Sequence, residues 1–555
     1  MPYLGCERLF ITIVIVVPHD IVVTQKISNH MNLEKRFWSF TFVSLLGLCA
    51  IVPVRAQEKE KKDEGEKSAA VVAEKKSVPE VAKEKEPVLS VTEHEITLGG
   101  KVIKYKATTG YLTLKDAKDK VKANVFFVAY TKEDEPDPSK RPITFSFNGG
   151  PGSASIWLHM GALGPKRVLM TDKGESLPPP YKLVDNEYCW LDQTDLVFID
   201  PVSTGYSRAA AGEDPKQFHG YKQDLAEVGD FIRLYTTRNA RWTSPKFIVG
   251  ESYGTTRAAG LSDYLQSRYG YYLNGIMLVS SILNFQTARF APGNDLPYEL
   301  FLPTYTAAAW YHGKLDKSWA KDLPTALKEV ENFVNKDYIA ALNAGDALPP
   351  AERARVVQQL AKLTSLPATF LEQRNMRIDI FTFTHKLLES EDRSVGRYDS
   401  RIKGIRYQPG SDRPDFDPSY EAVYGGYVTG FNDYVRRTLK YENDLPYEAL
   451  TGEVQPWDYS NVQNEYLNVA ESLHQAMSRN PFLKVWIASG YYDLATPYFA
   501  TNYTVHHMNL DPTVRSNITQ TYYDAGHMVY MNPASLAQLK QDFSKFIQTT
   551  LSGAK

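Results

Sequence analysis

Polar and apolar residues alternate from Val88 onward. Residues 95–98, 101–105, 108–114 and 123–130 carry the period of two that places one face of a strand in a core and the other in water, which predicts antiparallel pairing. Turn residues at Gly99-Gly100 and across 134–141 punctuate them. The pattern then changes. Residues 143–147, 195–199, 246–249, 275–279 and 484–488 are short apolar runs, as expected of strands buried on both faces. Between two of them, Leu225, Val228, Phe231, Ile232 and Tyr235 recur at helical spacing over 221–235, and 255–268 also reads as a helix. A last strand is expected at 517–523. A closing helix over 533–547 carries Leu536, Leu539, Phe543 and Phe546 on one face. Strands alternating with helices imply a mostly parallel central sheet, joined by right-handed crossovers, with helices on both faces.

The alternation is interrupted over 292–479. There 317–344, 351–363 and 461–479 read as helices, with loops such as 410–418 between them. The expected organisation is a first core part at 88–291, a largely helical insertion at 292–479 and a second core part at 480–555. An independent helical domain is the alternative to a cap. Strand-like sequence resumes beyond the insertion, which favours a cap on one fold.

The amino-terminal region has a different character. Lys35-Arg36 precede an apolar stretch from Phe37 to Val54 that ends Val54-Arg55-Ala56, the layout of a secretory signal cleaved near Ala56. Met31 lies just ahead, so residues 1–30 read as an upstream extension, and 1–56 as extension plus signal. An uncleaved anchor is the alternative; a lipoprotein at Cys49 is disfavoured by the bulk of Leu48. Residues 57–87 are nearly all Lys, Glu, Ala, Val and Ser, too poor in large apolar groups to bury a core, and read as a disordered charged linker. The expected location is periplasmic or extracellular, with no stable membrane insertion after signal removal.

Composition narrows the chemistry. The 555 residues are 43% hydrophobic and carry a net charge of -2, which gives no electrostatic case for a nucleic acid partner. Of three cysteines, Cys6 and Cys49 precede the expected cleavage point. Cys189 is left alone and cannot form an intramolecular disulfide. No phosphate-binding loop, HExxH or paired CxxC occurs, so neither a cofactor nor a metal is expected.

The sharpest motif is Gly250-Glu251-Ser252-Tyr253-Gly254, between the run at 246–249 and the helix at 255–268. Strand, Gly-x-Ser-x-Gly, helix resembles the nucleophile elbow of α/β hydrolases, whose strained turn lifts the serine hydroxyl above the sheet. A serine hydroxyl is a poor nucleophile near neutral pH and needs a base. Asp493 follows the strand at 484–488 and His527 follows the strand at 517–523, so Ser252, Asp493 and His527 stand in the chain order of α/β-hydrolase triads. Asp524, three residues from His527, is the competing acid. Asn148-Gly149-Gly150-Pro151-Gly152, after the strand at 143–147, frees backbone N–H groups to face an anion.

Taken with Asp200-Pro201-Val202, Thr204-Gly205-Tyr206-Ser207 and Gly526-His527-Met528-Val529, these motifs resemble the serine carboxypeptidase family in order and spacing, from about residue 89 to 550 with a divergent middle. The resemblance implies an α/β-hydrolase fold with a cap. It implies hydrolysis of C-terminal peptide bonds through an acyl-enzyme on Ser252, with peptide or protein C-termini as substrate. It further implies an oxyanion hole from the N–H groups of Gly150 and Tyr253. The substrate carboxylate would be gripped by Asn148 and by a protonated Glu251. An acyltransferase or esterase on the same fold is the alternative, and relatives are often homodimers. The sequence departs from the family in three places. Ala162, fourteen residues after Asn148, stands where a second acid usually partners Glu251. Ser153 replaces a frequent cysteine, and Tyr491 a frequent Asp. Loss of the second acid predicts a less acidic optimum or a looser demand for a free C-terminus.

Overall fold

Three strands begin the described part of the chain. β1 (Ser90–Leu98) pairs antiparallel with β2 (Lys101–Lys115), and β2 with β3 (Val121–Lys132). The two runs read at 101–105 and 108–114 are thus one long strand. In the computed structural model, residues 88–552 are described, except 409 and 412. The signal, the upstream extension, the linker at 57–87, Cys6 and Cys49 lie outside the described residues.

The chain continues with β4 (Ile143–Phe147), β5 (Asp195–Ile199), α1 (Tyr221–Arg238), β6 (Lys246–Ser252), α2 (Tyr253–Tyr269) and β7 (Gly275–Ser281). The insertion then contributes α3 (Leu296–Tyr311), α4 (Leu323–Phe333), α5 (Pro350–Thr364), α6 (Pro418–Arg437) and α7 (Ala470–Arg479). The chain returns as β8 (Lys484–Gly490), α8 (Tyr498–His506), β9 (Ile518–Tyr523) and α9 (Pro533–Ser552). The sheet runs β1-β2-β3-β5-β4-β6-β7-β8-β9, with the short strand Arg208–Ala209 against β3. From β5 to β9 every neighbouring pair is parallel. This is the mostly parallel sheet of an α/β-hydrolase fold.

Period two sorts the central strands onto two cores. Phe198, Val249, Met277 and Trp486 pack with Leu539 and Phe543 of α9 and Tyr427 and Phe431 of α6. Val197, Ile248, Leu278 and Val485 pack with Val228 and Phe231 of α1, Leu261 of α2 and Leu473 of α7. Helices therefore cover both faces, and the inner strands have no polar face to show.

The insertion divides between two roles. Its first half forms a core of its own from Phe301, Val330, Val334, Val356, Leu360 and Phe383, joined by Tyr492 and Leu494, the neighbours of Asp493. Its second half packs on the sheet through α6 and α7. Three helices here differ from the sequence reading, the first being α3, which lies where no helix was expected. The loop expected to end near 418 opens into α6, whose Gly425, Gly426 and Gly430 lower helix propensity. A β-carbon at those three glycines would meet Tyr181, Ser176 and Leu183 at 2.5, 2.9 and 2.8 Å, so close packing, not flexibility, selects glycine. Helix was also expected across 461–479 but occupies only α7. Phe285 N–H donates to Leu467 O (2.9 Å) and Val469 N–H to Leu283 O (2.7 Å), which commits that backbone to a neighbouring strand-like segment.

Candidate active site

The carboxyl ends of β4, β6, β8 and β9 lie along one rim of the sheet, where side chains from distant stretches of chain can converge. At the end of β6, Ser252 holds φ 59° and ψ -129°, a conformation unfavourable for a side-chain-bearing residue. Its surroundings compel the turn. A β-carbon on Gly250 would lie 2.1 Å from Gly254 O, and one on Gly254 would lie 2.9 Å from Phe147 O. Neither position tolerates a larger residue.

β4 delivers Asn148 and Gly149 against this elbow. A β-carbon on Gly149 would meet the amide nitrogens of Tyr253 and Gly254 at 2.3 and 2.6 Å. Tyr253 opens α2, so its N–H has no acceptor within the helix. Gly150, at φ 100°, sits in the left-handed region that glycine favours, and its N–H makes no hydrogen bond among the described residues. Two unspent backbone donors thus belong to segments that touch beside Ser252. The glycine loop is braced by the insertion: Ala154 N–H donates to Ala449 O (3.1 Å) and Thr451 N–H to Gly152 O (2.9 Å). Ser153, in the place of the family's frequent cysteine, accepts from Trp157 Nε1 at 2.9 Å.

Asp493 and His527 meet behind the serine. His527 Nδ1 lies 2.8 Å from Asp493 Oδ2. Asp493 is fully buried, and its Oδ1 accepts the N–H groups of Ala495 (2.7 Å) and Thr496 (2.9 Å). Thr496 Oγ1 donates to Asp493 Oδ2 at 2.7 Å. With Nδ1 donating to the carboxylate, Nε2 keeps its lone pair. Burial opposes a charge on His527, but the Asp493 and Glu251 carboxylates together outweigh it and raise the imidazole above its ordinary value. Asp524 plays no such part: its side chain is 78% exposed and lies 3.9 Å from Arg401. The His527 loop is fixed by Tyr398 of the insertion, whose carbonyl accepts His527 N–H at 2.6 Å.

Ser252 and His527 line one cavity of about 180 Å³ with Asn148, Glu251, Arg397 and Tyr398. No hydrogen bond joins Ser252 Oγ to His527 among the described residues, though both side chains line the same cavity. Asn148 is buried. Its Oδ1 accepts Leu158 N–H at 3.1 Å, while its Nδ2 makes no close hydrogen bond among the described residues but lies near enough to Glu251 and Tyr530 to favour their ionised forms. Burial pushes the Glu251 carboxyl up to about 7, against the opposing pull of His527 and of Tyr530, whose hydroxyl donates to Oε2 at 2.6 Å. Ala162, where a second acid was expected from the family, is buried and reaches the site with no polar group of its side chain. Tyr530 is the partner that the sequence did not reveal. Thr496 and Tyr398 escaped notice too, since neither forms a motif. Cys189 is buried and its thiol is pushed up to about 12, which makes it inert.

The family profile described as serine carboxypeptidase matches residues 99–540. Serine carboxypeptidase-like 45 of Arabidopsis thaliana is 24% identical over 276 residues, 45% of this chain and 55% of that protein. Carboxypeptidase Y of Saccharomyces cerevisiae is 33% identical over 152 residues, 26% of this chain and 24% of that one. The chain thus spans about half or less of the length of the curated relatives it matches. Among solved structures, a prohormone-processing carboxypeptidase from Saccharomyces cerevisiae aligns at TM-score 0.49 and 17% identity, covering 80% of this chain and 91% of that one. With the profile matched across most of its described residues, this chain belongs to the serine carboxypeptidase family.

Proposed function

We propose that the protein hydrolyses C-terminal peptide bonds, with Ser252 as nucleophile. Ser252 Oγ attacks the scissile carbonyl carbon and His527 Nε2 takes its proton. The N–H groups of Gly150 and Tyr253 receive the developing oxyanion; one such donor lowers a barrier by roughly 3 kcal/mol. His527 then gives the proton to the departing amine as the C–N bond breaks. Water repeats the sequence on the acyl-enzyme. Asp493 holds the imidazole in the productive tautomer and stabilises the imidazolium.

The observation that carries the exopeptidase reading is the pair beside the serine. The unpartnered amide of Asn148 and a Glu251 carboxyl that keeps its proton to about pH 7 are both hydrogen-bond donors available to a carboxylate. An endopeptidase needs no such pair, and an esterase would not discriminate by it. The protein is further proposed to work in the periplasm or outside the cell, after cleavage near Ala56. No helix among the described residues is long and apolar enough to cross a membrane.

The test compares a peptide with its C-terminal amide, using wild type and Ser252→Ala. Sequential release of residues from the free peptide alone is expected, with loss of release and of fluorophosphonate labelling in the variant. Equal cleavage of both peptides rejects the carboxylate grip. Labelling with ester turnover but no peptide release favours an esterase or acyltransferase.

A further inference from the structure

The insertion places one cation in the cleft without a counterion. Arg397 lies between the short strand Arg393–Val395 and Tyr398, and it lines the catalytic cavity. It also lines a second chamber of about 370 Å³ bounded by Phe381, Thr384, Phe416 and Tyr420. Arg397, Tyr398, Tyr420 and Leu450 border both spaces, so the two adjoin. Arg397 Nε is buried and has no hydrogen-bond partner, and its guanidinium makes no ion pair among the described residues. Its charge rests on the Tyr398 ring, 5.1 Å from the centroid. Asp417 lines the same chamber and makes no ion pair with Arg397; its Oδ2 is buried without a hydrogen-bond partner among the described residues. Its Oδ1 accepts the backbone N–H of Arg397 at 3.1 Å, the N–H of Ser419 at 3.0 Å and the Ser419 hydroxyl at 2.5 Å.

A guanidinium held in a largely apolar cleft with its donors unspent is complementary to a carboxylate, which it binds in a planar, two-pronged fashion. We propose that Arg397 is a specificity-determining residue that selects peptides whose released C-terminal residue has an acidic side chain. The released residue is favoured over the one before it because Asn148 and Glu251 line the same catalytic cavity as Arg397. By contrast, Tyr253, Phe285 and Trp457, the other aromatic group near Ser252, form a separate cluster that borders neither the second chamber nor Arg397. A leaving glutamate would then place its main-chain carboxylate on Asn148 and Glu251 and its side-chain carboxylate on Arg397. This rests on the carboxypeptidase reading above.

The test is kcat/KM on matched blocked dipeptides ending in Glu or Gln, which differ only in charge. The Glu substrate is expected to exceed the Gln substrate by about tenfold in wild type, the ratio falling to near unity in Arg397→Met and partly surviving in Arg397→Lys. Taking the ratio within one enzyme cancels the general effect of Arg397 on His527, whose proton affinity it lowers. Equal rates on the two substrates in wild type overturn the inference, whatever the variants do. So does an intact ratio in Arg397→Met, or a preference that follows an acid in the penultimate position. Calorimetry with N-acetyl-glutamate and N-acetyl-glutamine repeats the comparison without turnover. Tighter binding of the glutamate, lost in Arg397→Met, supports the inference even where hydrolysis is absent, and equal binding overturns it. Absence of hydrolysis with that binding preference intact would refute the carboxypeptidase reading alone.

Discussion

Replacing Glu251 by Gln tests the carboxylate grip through its pH dependence. In wild type the carboxyl, raised by burial to about 7, must be protonated to donate to a substrate carboxylate. Its protonated fraction is about 0.9 at pH 6 and about 0.1 at pH 8, by ordinary titration. Relative to an ester substrate, which shares the His527 limb, kcat/KM for a peptide with a free C-terminus should therefore fall about tenfold over that interval. Glutamine donates from its amide at every pH, so Glu251→Gln should abolish the descending limb while retaining activity at pH 6 within about tenfold. A second consequence has a definite sign. Ionised Glu251 raises the proton affinity of His527. Its removal should move the ascending limb, where His527 loses its proton, to lower pH. The assay is a pair of pH profiles for free and amidated peptides, with an ester substrate as control for His527. A tenfold fall that persists in Glu251→Gln assigns the limb to another group and refutes the reasoning. So does a wild-type ratio of peptide to ester turnover that stays flat between pH 6 and 8.

Tyr530→Phe removes the hydrogen bond that favours ionised Glu251, so the descending limb for free peptides should move to higher pH; a shift to lower pH would reverse the assigned sign. Asp493→Asn should leave His527 in place but in the wrong tautomer, lowering kcat by roughly 10³–10⁴ with little change in KM. Asp524→Asn should change kcat by no more than a fewfold, as its exposed side chain lies outside the cavity. In Gly149→Ala the added methyl would lie 2.3 Å from the Tyr253 amide nitrogen, so peptide and ester turnover should both collapse. Circular dichroism would separate loss of the oxyanion donors from loss of the fold, and a well-folded, fully active variant would contradict the assigned role of that loop.

Much of the fold was legible because its strands and amphipathic helices follow from local patterning. Period two in β1–β3, unbroken apolar runs in β4 to β8, and the helical spacing of Leu225, Val228, Phe231 and Ile232 each reflect burial that a residue's near neighbours in sequence already encode. The elbow was legible for the same reason: Gly250 and Gly254 are steric requirements of one turn. The helices that were missed or overextended failed through tertiary context. α3 contains Pro303 within its length, and α6 carries three glycines that exist to admit Tyr181, Ser176 and Leu183. Residues 461–469 have helical composition but hydrogen-bond to residues 283–285 and to their own turns.

The chain order of Ser252, Asp493 and His527 named three side chains, but not which acid faces the imidazole. Asp524 is near His527 in sequence, yet the turn at the end of β9 directs it outward, while Asp493 arrives from the adjoining strand, β8. The same is true of Tyr530 on Glu251 and Arg397 in the cleft. Sequence determined the sheet, the elbow and the candidates for the reactive groups, because these depend on short-range sterics and periodic burial. Only the tertiary structure decided the partners, the proton affinities and the shape of the cleft. Those depend on distances between side chains hundreds of residues apart, and on the water that packing around them excludes.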